Sequence, residues 1–82
     1  MYYKANFLNT IGDVFDVALY LAKNGTKTEQ ENFFQEYAES CANDNAVTFD
    51  EGIRIAQSNL GYFSGYCDND TCTLIHRVYC HH

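Results

Sequence analysis

The sequence predicts an all-α fold, a compact single domain over residues 1–82 with about four short helices. Three observations predict it. The chain contains no proline, a residue that marks the turns and edges of loop-rich and β-rich proteins. Apolar residues recur at helical spacing in four stretches. In three places a threonine is followed three residues later by an acid, which is a pattern typical of helix N-termini. The pairs are Thr10–Asp13, Thr28–Glu31 and Thr48–Glu51.

The first helix is predicted to begin near Ala5, to continue through Thr10 and to end at Asn24-Gly25, where glycine can take the left-handed conformation of a helix cap. Polar positions are few in this stretch, so apolar side chains cover most of the helix circumference. We therefore expect this helix to be the central one of the bundle. Its apolar stripe consists of Phe7, Ile11, Val14, Phe15, Ala18, Leu21 and Ala22.

The second helix is predicted over residues 29–42, before a polar turn at residues 43–46. Its outer face carries Glu36 and Glu39. Cys41 lies on the inner face, and we expect it to be a small core residue because free cysteine is among the most buried residue types. The complete apolar face is Phe33, Phe34, Tyr37, Ala38 and Cys41.

The third helix is predicted over residues 49–63. Gly61 and Gly65 interrupt its tail, and two interpretations of them stay open. In the first, they mark close helix packing or a helix end; in the second, they form a turn that presents Tyr62 and Tyr66 to a partner. The apolar stripe of this helix is Phe49, Ile53, Ala56, Leu60 and Phe63.

The fourth helix is predicted over residues 70–80. Asp68 and Asp70 suit its N-terminal end, because the helix dipole leaves partial positive charge there. The inward-facing residues are expected to be Leu74, Ile75, Val78 and Tyr79.

Composition limits the classes of function. Hydrophobic residues make up 46% of the chain, including seven Tyr and six Phe, so a packed core is expected. The net charge is −6 and the five bases do not cluster, which disfavours direct binding to nucleic acid or to an anionic membrane. No apolar stretch is long enough for a membrane span and no signal peptide is recognisable, so we expect a cytoplasmic location with reduced cysteines.

The C-terminal segment is where metal-binding residue types crowd together. Cys72, His76 and Cys80 are spaced four apart and so share one side of a helix. With Cys67, or with a terminal histidine, they would make the four ligands of a tetrahedral zinc site. The opposing interpretation is that these are ordinary helix residues, because the specific Cys-x-x-Cys spacing is missing. His81 and His82 would then be a frayed end or the remnant of an expression tag.

No pattern in the sequence indicates catalysis, and we expect no enzyme. Cys72 and His76 could form a thiol–imidazole pair, but a working nucleophile also needs an orienting group, an oxyanion site and a cleft. The paired acids on helix faces, such as Glu36 and Glu39, are interpreted as solvated surface. Phosphate-binding, dinucleotide-binding and nucleophile-elbow motifs are missing from the sequence.

Two segments of the chain carry a resemblance. The sequences IRIAQSNLGYFSGYCDNDT (residues 53–71) and NFLNTIGDVFDVA (residues 6–18) resemble a group of small uncharacterised proteins encoded by bacteriophages and mobile elements. Cys80-His81 matches the Cys-His tail of that group. The resemblance implies no catalytic residue. It implies a protein that acts by binding a host protein, as inhibitors of bacterial defence such as anti-CRISPR proteins do.

We therefore expect a small acidic binding protein that blocks or modulates a host protein complex, for example one with a basic nucleic-acid-binding surface. The candidate contacts are Tyr62, Tyr66, Tyr2 and Tyr3, with Glu36 and Glu39 as an acidic face. The alternative is a structural or homo-oligomeric module stabilised by zinc. Its candidate ligands are Cys67, Cys72, His76 and Cys80.

Overall fold

The computed structural model describes the backbone of residues 11–80 and the side chains of residues 14–80. Four helices account for nearly all of this part of the chain, and no strand occurs in it, so the predicted all-α fold of four short helices is confirmed. The predicted start of the first helix near Ala5 and the Thr10–Asp13 pair fall outside what the structure describes. The helices are α1 (Ile11–Asn24), α2 (Lys27–Asn45), α3 (Phe49–Ser64) and α4 (Asn69–Tyr79).

The start of α2 differs from the prediction by two residues. The N-cap is Thr26 and not Thr28: its hydroxyl accepts the Glu29 N–H at 3.1 Å, and the Glu29 carboxylate accepts the Thr26 N–H at 2.9 Å. Both threonines precede an acid by three residues, so the local pattern is ambiguous. Tertiary contact favours the earlier start, because Gln30 then donates a hydrogen bond to the Leu21 carbonyl of α1 at 2.8 Å.

The glycine after α1 does not act as predicted. Gly25 has no positive φ, so it is not a left-handed cap. A β-carbon at this position would lie 2.8 Å from Leu21 Cδ2 and 2.9 Å from the Leu21 carbonyl oxygen, so glycine is needed for a close approach. Its N–H donates to that same carbonyl.

The end of α2 also differs from the prediction. Residues 43–45, predicted to form a polar turn, belong to the helix, which ends at Asn45. Ala46 then takes the left-handed conformation, with φ 55° and ψ 46°, and donates its N–H to the Ala42 and Asn43 carbonyls. Alanine is an unusual residue for this position, which favours glycine or asparagine.

Replacing Ala46 by glycine is expected to stabilise the fold by about 0.5–1 kcal/mol, because glycine adopts positive φ without the steric cost of a β-carbon. Urea unfolding of the variant measures this gain. Ala42→Gly is the matched control. Ala42 is buried inside the same helix, and the same change there is expected to destabilise the protein. A loss of stability in Ala46→Gly would contradict the assignment of this cap.

The other helix ends agree more closely with the sequence. Thr48 caps α3 and accepts the Glu51 N–H at 3.3 Å, as predicted. Asp68 caps α4, with the Thr71 N–H donating to its carboxylate at 2.8 Å. This hydrogen bond lowers the pKa of Asp68, so the cap remains ionised at neutral pH. Gly61 does not interrupt α3, which continues through it to Ser64.

The most extensive helix–helix contact in the described part of the chain joins α2 and α3. Within the described residues, therefore, α1 is not the central helix that the sequence predicts. The cause is Gly52 on α3, where a β-carbon would overlap the Ala38 carbonyl oxygen of α2 and would lie 2.7 Å from the Ala42 β-carbon. A count of apolar residues favours α1, but small residues at a crossing decide how closely two helix backbones can approach.

The core contains residues of all four helices. Phe33 is fully buried, and its ring contacts those of Tyr37 (centroids 6.2 Å apart) and Tyr79 (6.0 Å). Tyr79 donates its hydroxyl to the Ala18 carbonyl at 2.6 Å and so ties α4 to α1. The predicted core role of Cys41 is confirmed, since it is buried. Phe49 was predicted to join the stripe of α3 but is 42% exposed, because as the first residue of that helix it extends past the core.

Buried ionisable groups predict alkaline instability. Burial raises the pKa of Tyr37 above its usual 10.0, although Asn59 donates a hydrogen bond to its hydroxyl at 3.0 Å. Burial likewise raises the pKa values of Cys41 and Cys80 above 9.0. The folded state therefore holds these protons more tightly than the unfolded chain, so their contribution to stability is complete below about pH 9 and falls as the pH rises.

Urea unfolding between about pH 8 and about pH 11 tests this expectation. The free energy of unfolding is expected to fall with pH, with a slope of up to about 1.4 kcal/mol per pH unit for each such group. Tyr37→Phe removes one of them and should flatten the slope above about pH 10, while losing about 1 kcal/mol at neutral pH with the Asn59 hydrogen bond. An unchanged slope in this variant would show that Tyr37 is not the group responsible.

Candidate interaction surfaces

A pair of exposed tyrosines lies at the C-terminal end of α3. Tyr62 is 63% exposed and Tyr66 is 73% exposed. Their hydroxyl oxygens are 2.8 Å apart, and their rings meet edge to face with centroids at 5.3 Å. Both residues are contacts predicted from the sequence, and the structure brings them together. We call Tyr62 and Tyr66 the tyrosine pair.

The tyrosine pair is supported by the fold beneath it. The Tyr62 ring packs edge to face on Phe63, with centroids at 5.6 Å, and Phe63 in turn lies 6.1 Å from the buried Phe15 of α1. The chain after α3 stays tightly wound, because Tyr66 N–H donates to the Phe63 carbonyl. This winding places Tyr66 four residues, or about one helical turn, beyond Tyr62 on the same side.

The hydroxyl contact has an electrostatic consequence. The hydrogen bond to Tyr62 raises the pKa of Tyr66, so the Tyr66 phenol stays neutral throughout the physiological range. The two hydroxyls still have unused hydrogen-bonding capacity, because each can donate one bond and accept more. The tyrosine pair thus offers aromatic surface and polar groups in one fixed arrangement.

The other predicted contacts are not joined to the tyrosine pair. Glu36 and Glu39 are exposed on the outer face of α2, as predicted. Within the described residues, no hydrogen bond connects either carboxylate to the tyrosine pair. Tyr2 and Tyr3 lie outside the described residues.

Three of the predicted zinc ligands, Cys72, His76 and Cys80, follow one another along the side of α4 that faces α3, and Cys67 lies before α4. Cys67 is exposed, with its sulfur 3.9 Å from the Phe63 carbonyl, whereas the Cys80 sulfur lies 3.7 Å from the Gln57 carbonyl. Cys72 accepts a hydrogen bond from Ser64 at 3.6 Å, and the His76 ring is exposed beside Gly61. Among the described residues, no three His, Cys, Asp or Glu side chains are grouped so that they could hold a metal ion. Because His81 and His82 lie outside those residues, the zinc alternative stays a prediction.

A second surface was not found by sequence reasoning. The beginnings of α2 and α3 and the end of α4 enclose an open groove of about 690 Å³. Phe34 and Tyr79, stacked with centroids 6.0 Å apart, form part of its floor together with Ile53 and Val78. One signal in the sequence points to it: Phe33 and Phe34 are adjacent, and two neighbours on a helix cannot both point at the same core.

The edge of this groove carries charge. Lys27 and Arg77 line it from α2 and α4, and Glu31 is the one acidic residue among the groove-lining side chains that the structure describes. Within residues 14–80, the side chains of Lys27 and Arg77 make no hydrogen bond or ion pair. The groove therefore combines an apolar floor with two cationic groups on an otherwise acidic protein.

Both surfaces are suited to binding by contact and hydrogen bonding. None of the helices in the described part of the chain is long and apolar enough to cross a membrane. Comparisons with protein families, with curated proteins and with solved structures found no match.

Proposed function

We propose that this chain is a binding protein that occupies the surface of another protein in a bacterial host, and so inhibits or modulates a complex that the other protein forms. The observation that carries the proposal is the tyrosine pair: two exposed aromatic rings held against each other by a 2.8 Å hydroxyl contact and an edge-to-face packing. Tyrosine is among the residues that contribute most to protein–protein affinity.

The arrangement supports this role because ordering a side chain on binding costs about 0.5–1.5 kcal/mol. Tyr62 and Tyr66 already restrict each other, and Phe63 anchors Tyr62 to the core. The two side chains are therefore partly ordered before a partner binds, and binding has to order them less. A prearranged aromatic surface of this kind serves a contact with a partner and has no evident role in stabilising the domain, since both rings are mostly exposed.

Charge indicates the kind of partner. The chain carries 11 acidic and five basic residues, and Glu36 and Glu39 are exposed on α2. A partner with a basic surface, such as a protein that binds nucleic acid, would be attracted at long range, and this attraction would increase the association rate more than the final affinity. We propose a cytoplasmic partner of this class, without direct binding to nucleic acid.

The test is affinity capture from a bacterial lysate with the purified protein and with the double variant Tyr62→Ala/Tyr66→Ala. A stoichiometric partner of the wild-type protein is expected to bind the double variant at least about tenfold more weakly, because truncation of a contact tyrosine costs about 2 kcal/mol. Tyr20→Ala is the matched control: Tyr20 is 64% exposed on α1, and its loss is expected to leave capture unchanged.

Two outcomes would contradict the proposal. In the first, the double variant keeps its circular-dichroism spectrum and still captures the partner as well as the wild type. In the second, no partner is captured and size-exclusion chromatography shows a homodimer that the double variant disrupts, which would make the tyrosine pair a contact between two copies.

The salt dependence of association is a separate measurement that tests the acidic face. The variant Glu36→Gln/Glu39→Gln is expected to associate with the partner more slowly at low ionic strength only.

A further inference from the structure

We propose that the groove between α2, α3 and α4 binds a small molecule with an apolar tail and a carboxylate head, of the fatty-acid type. The groove volume of about 690 Å³ lies within the range of small-molecule sites, about 300–1,000 Å³. Such sites have mainly hydrophobic and aromatic walls with a few polar groups that orient the ligand. Most of the exposed wall of this groove is apolar, although six of its eleven lining residues are polar or charged.

Three of the side chains that line the groove are hydrogen-bonded to backbone carbonyls of the fold, which leaves its floor apolar. Tyr79 directs its hydroxyl away from the groove to the Ala18 carbonyl, which leaves its ring to stack on Phe34. Gln57 donates its amide to the Tyr79 carbonyl at 3.2 Å, and Gln30 donates to the Leu21 carbonyl. These bonds fix the side chains of the wall, so the space exists before a ligand arrives.

The charge at the edge selects the head group. The chain has more than twice as many acids as bases, yet Lys27 and Arg77 both line this groove, where Glu31 is the acid among the described lining residues. Arginine binds a carboxylate through two parallel hydrogen bonds.

The complementary ligand is therefore anionic at one end and apolar at the other. A cationic amphiphile would place its head beside two like charges. A neutral amphiphile would bury the same tail without any ionic contact. Anionic, cationic and neutral amphiphiles that share one apolar tail can therefore be distinguished by the effect of the head group on affinity.

The experiment is isothermal titration calorimetry with three probes that share one tail: dodecanoate, dodecyl maltoside and dodecyltrimethylammonium, each below its micelle concentration. We expect one dodecanoate per chain, bound at least about tenfold more tightly than the other two probes, because a charge-assisted hydrogen bond to a carboxylate contributes about that factor. Similar affinity for all three head groups, or no saturable binding of dodecanoate, would overturn the proposal.

Variants locate the site. Arg77→Gln and Lys27→Gln are each expected to weaken dodecanoate about tenfold while leaving the weaker affinity for dodecyl maltoside unchanged. Arg54→Gln makes the same change of charge at an exposed position of α3 that does not line the groove, and it should leave dodecanoate binding unchanged. An equal loss in Arg54→Gln and Arg77→Gln would show that net charge alone attracts the ligand and would overturn the assignment of the site.

This inference is independent of the proposed function. The double variant Tyr62→Ala/Tyr66→Ala is expected to bind dodecanoate as the wild-type protein does. If that variant lost dodecanoate binding while its circular-dichroism spectrum was unchanged, the ligand would lie at the tyrosine pair and the groove proposal would be wrong.

Discussion

Gly52→Ala is expected to lower the free energy of unfolding by about 2–3 kcal/mol, although alanine is the better helix former. A β-carbon at this position would overlap the Ala38 carbonyl oxygen of α2 and would lie 2.7 Å from the Ala42 β-carbon. Neither neighbour is the flexible end of a side chain. The two helix backbones would therefore have to move apart along the most extensive contact of the described fold.

Gly61→Ala is the matched control for Gly52→Ala, since it makes the same substitution in the same helix. A β-carbon at Gly61 would lie 3.6 Å from the His76 ring, which is ordinary van der Waals contact. This variant is expected to gain about 0.5–1 kcal/mol from helix propensity. Urea unfolding at neutral pH measures both changes. Equal effects of the same sign would show that helix propensity, and not the crossing of α2 and α3, explains Gly52.

Phe33→Ala is expected to cost about 3–5 kcal/mol, which is a large share of the total stability of about 4–12 kcal/mol for a domain of this size. Phe33 is fully buried and contacts Tyr37 and Tyr79, so its removal leaves a cavity at the centre of the aromatic cluster. Thermal unfolding followed by circular dichroism measures the loss. A well-folded variant with an unchanged midpoint would mean that this cluster does not support the fold.

Phe34→Ala provides the comparison, because the two phenylalanines are neighbours in the chain and differ in where they point. Phe34 is half-buried and stacks on Tyr79 at the floor of the groove. Its truncation is expected to cost about 1 kcal/mol of stability, because the half-buried Phe34 ring contributes less buried apolar surface than the fully buried Phe33 ring does. It should also weaken binding of each dodecyl probe, whatever the head group. Phe33 thus supports the fold, while Phe34 supports the groove.

The two candidate surfaces involve different parts of α3. Along α3 the groove is lined by Phe49, Ile53 and Gln57, and the tyrosine pair begins at Tyr62, five residues after Gln57 and about 7–8 Å farther along the helix axis. Neither tyrosine lines the groove. A ligand in the groove would therefore leave Tyr62 and Tyr66 accessible to a protein partner. This separation allows the two proposals to be tested by different variants.

The features that can be predicted from the amino-acid sequence alone are those that depend on local physical chemistry. Helical spacing of apolar residues identified four helices, because a helix must bury one continuous face. Thr48 was recognised as a cap, since a threonine hydroxyl at an N-terminus satisfies a free N–H group. Cys41 was placed in the core, and Tyr62 and Tyr66 were recognised as neighbours of a helix end. Each of these follows from contacts between residues that lie a few positions apart.

Other features depend on contacts between residues that are distant in the chain, and no local pattern predicts them. Thr26 and Thr28 both precede a glutamate by three residues, so the local pattern predicts either one as the N-cap of α2. The hydrogen bond from Gln30 to the Leu21 carbonyl distinguishes them. The importance of Gly52 depends on α2 lying against it, which no periodicity reveals. The groove requires three helices to meet with Lys27 and Arg77 at its edge, although fifty residues separate these two in the chain. Local patterns specify elements, whereas the site arises from the packing of those elements against one another.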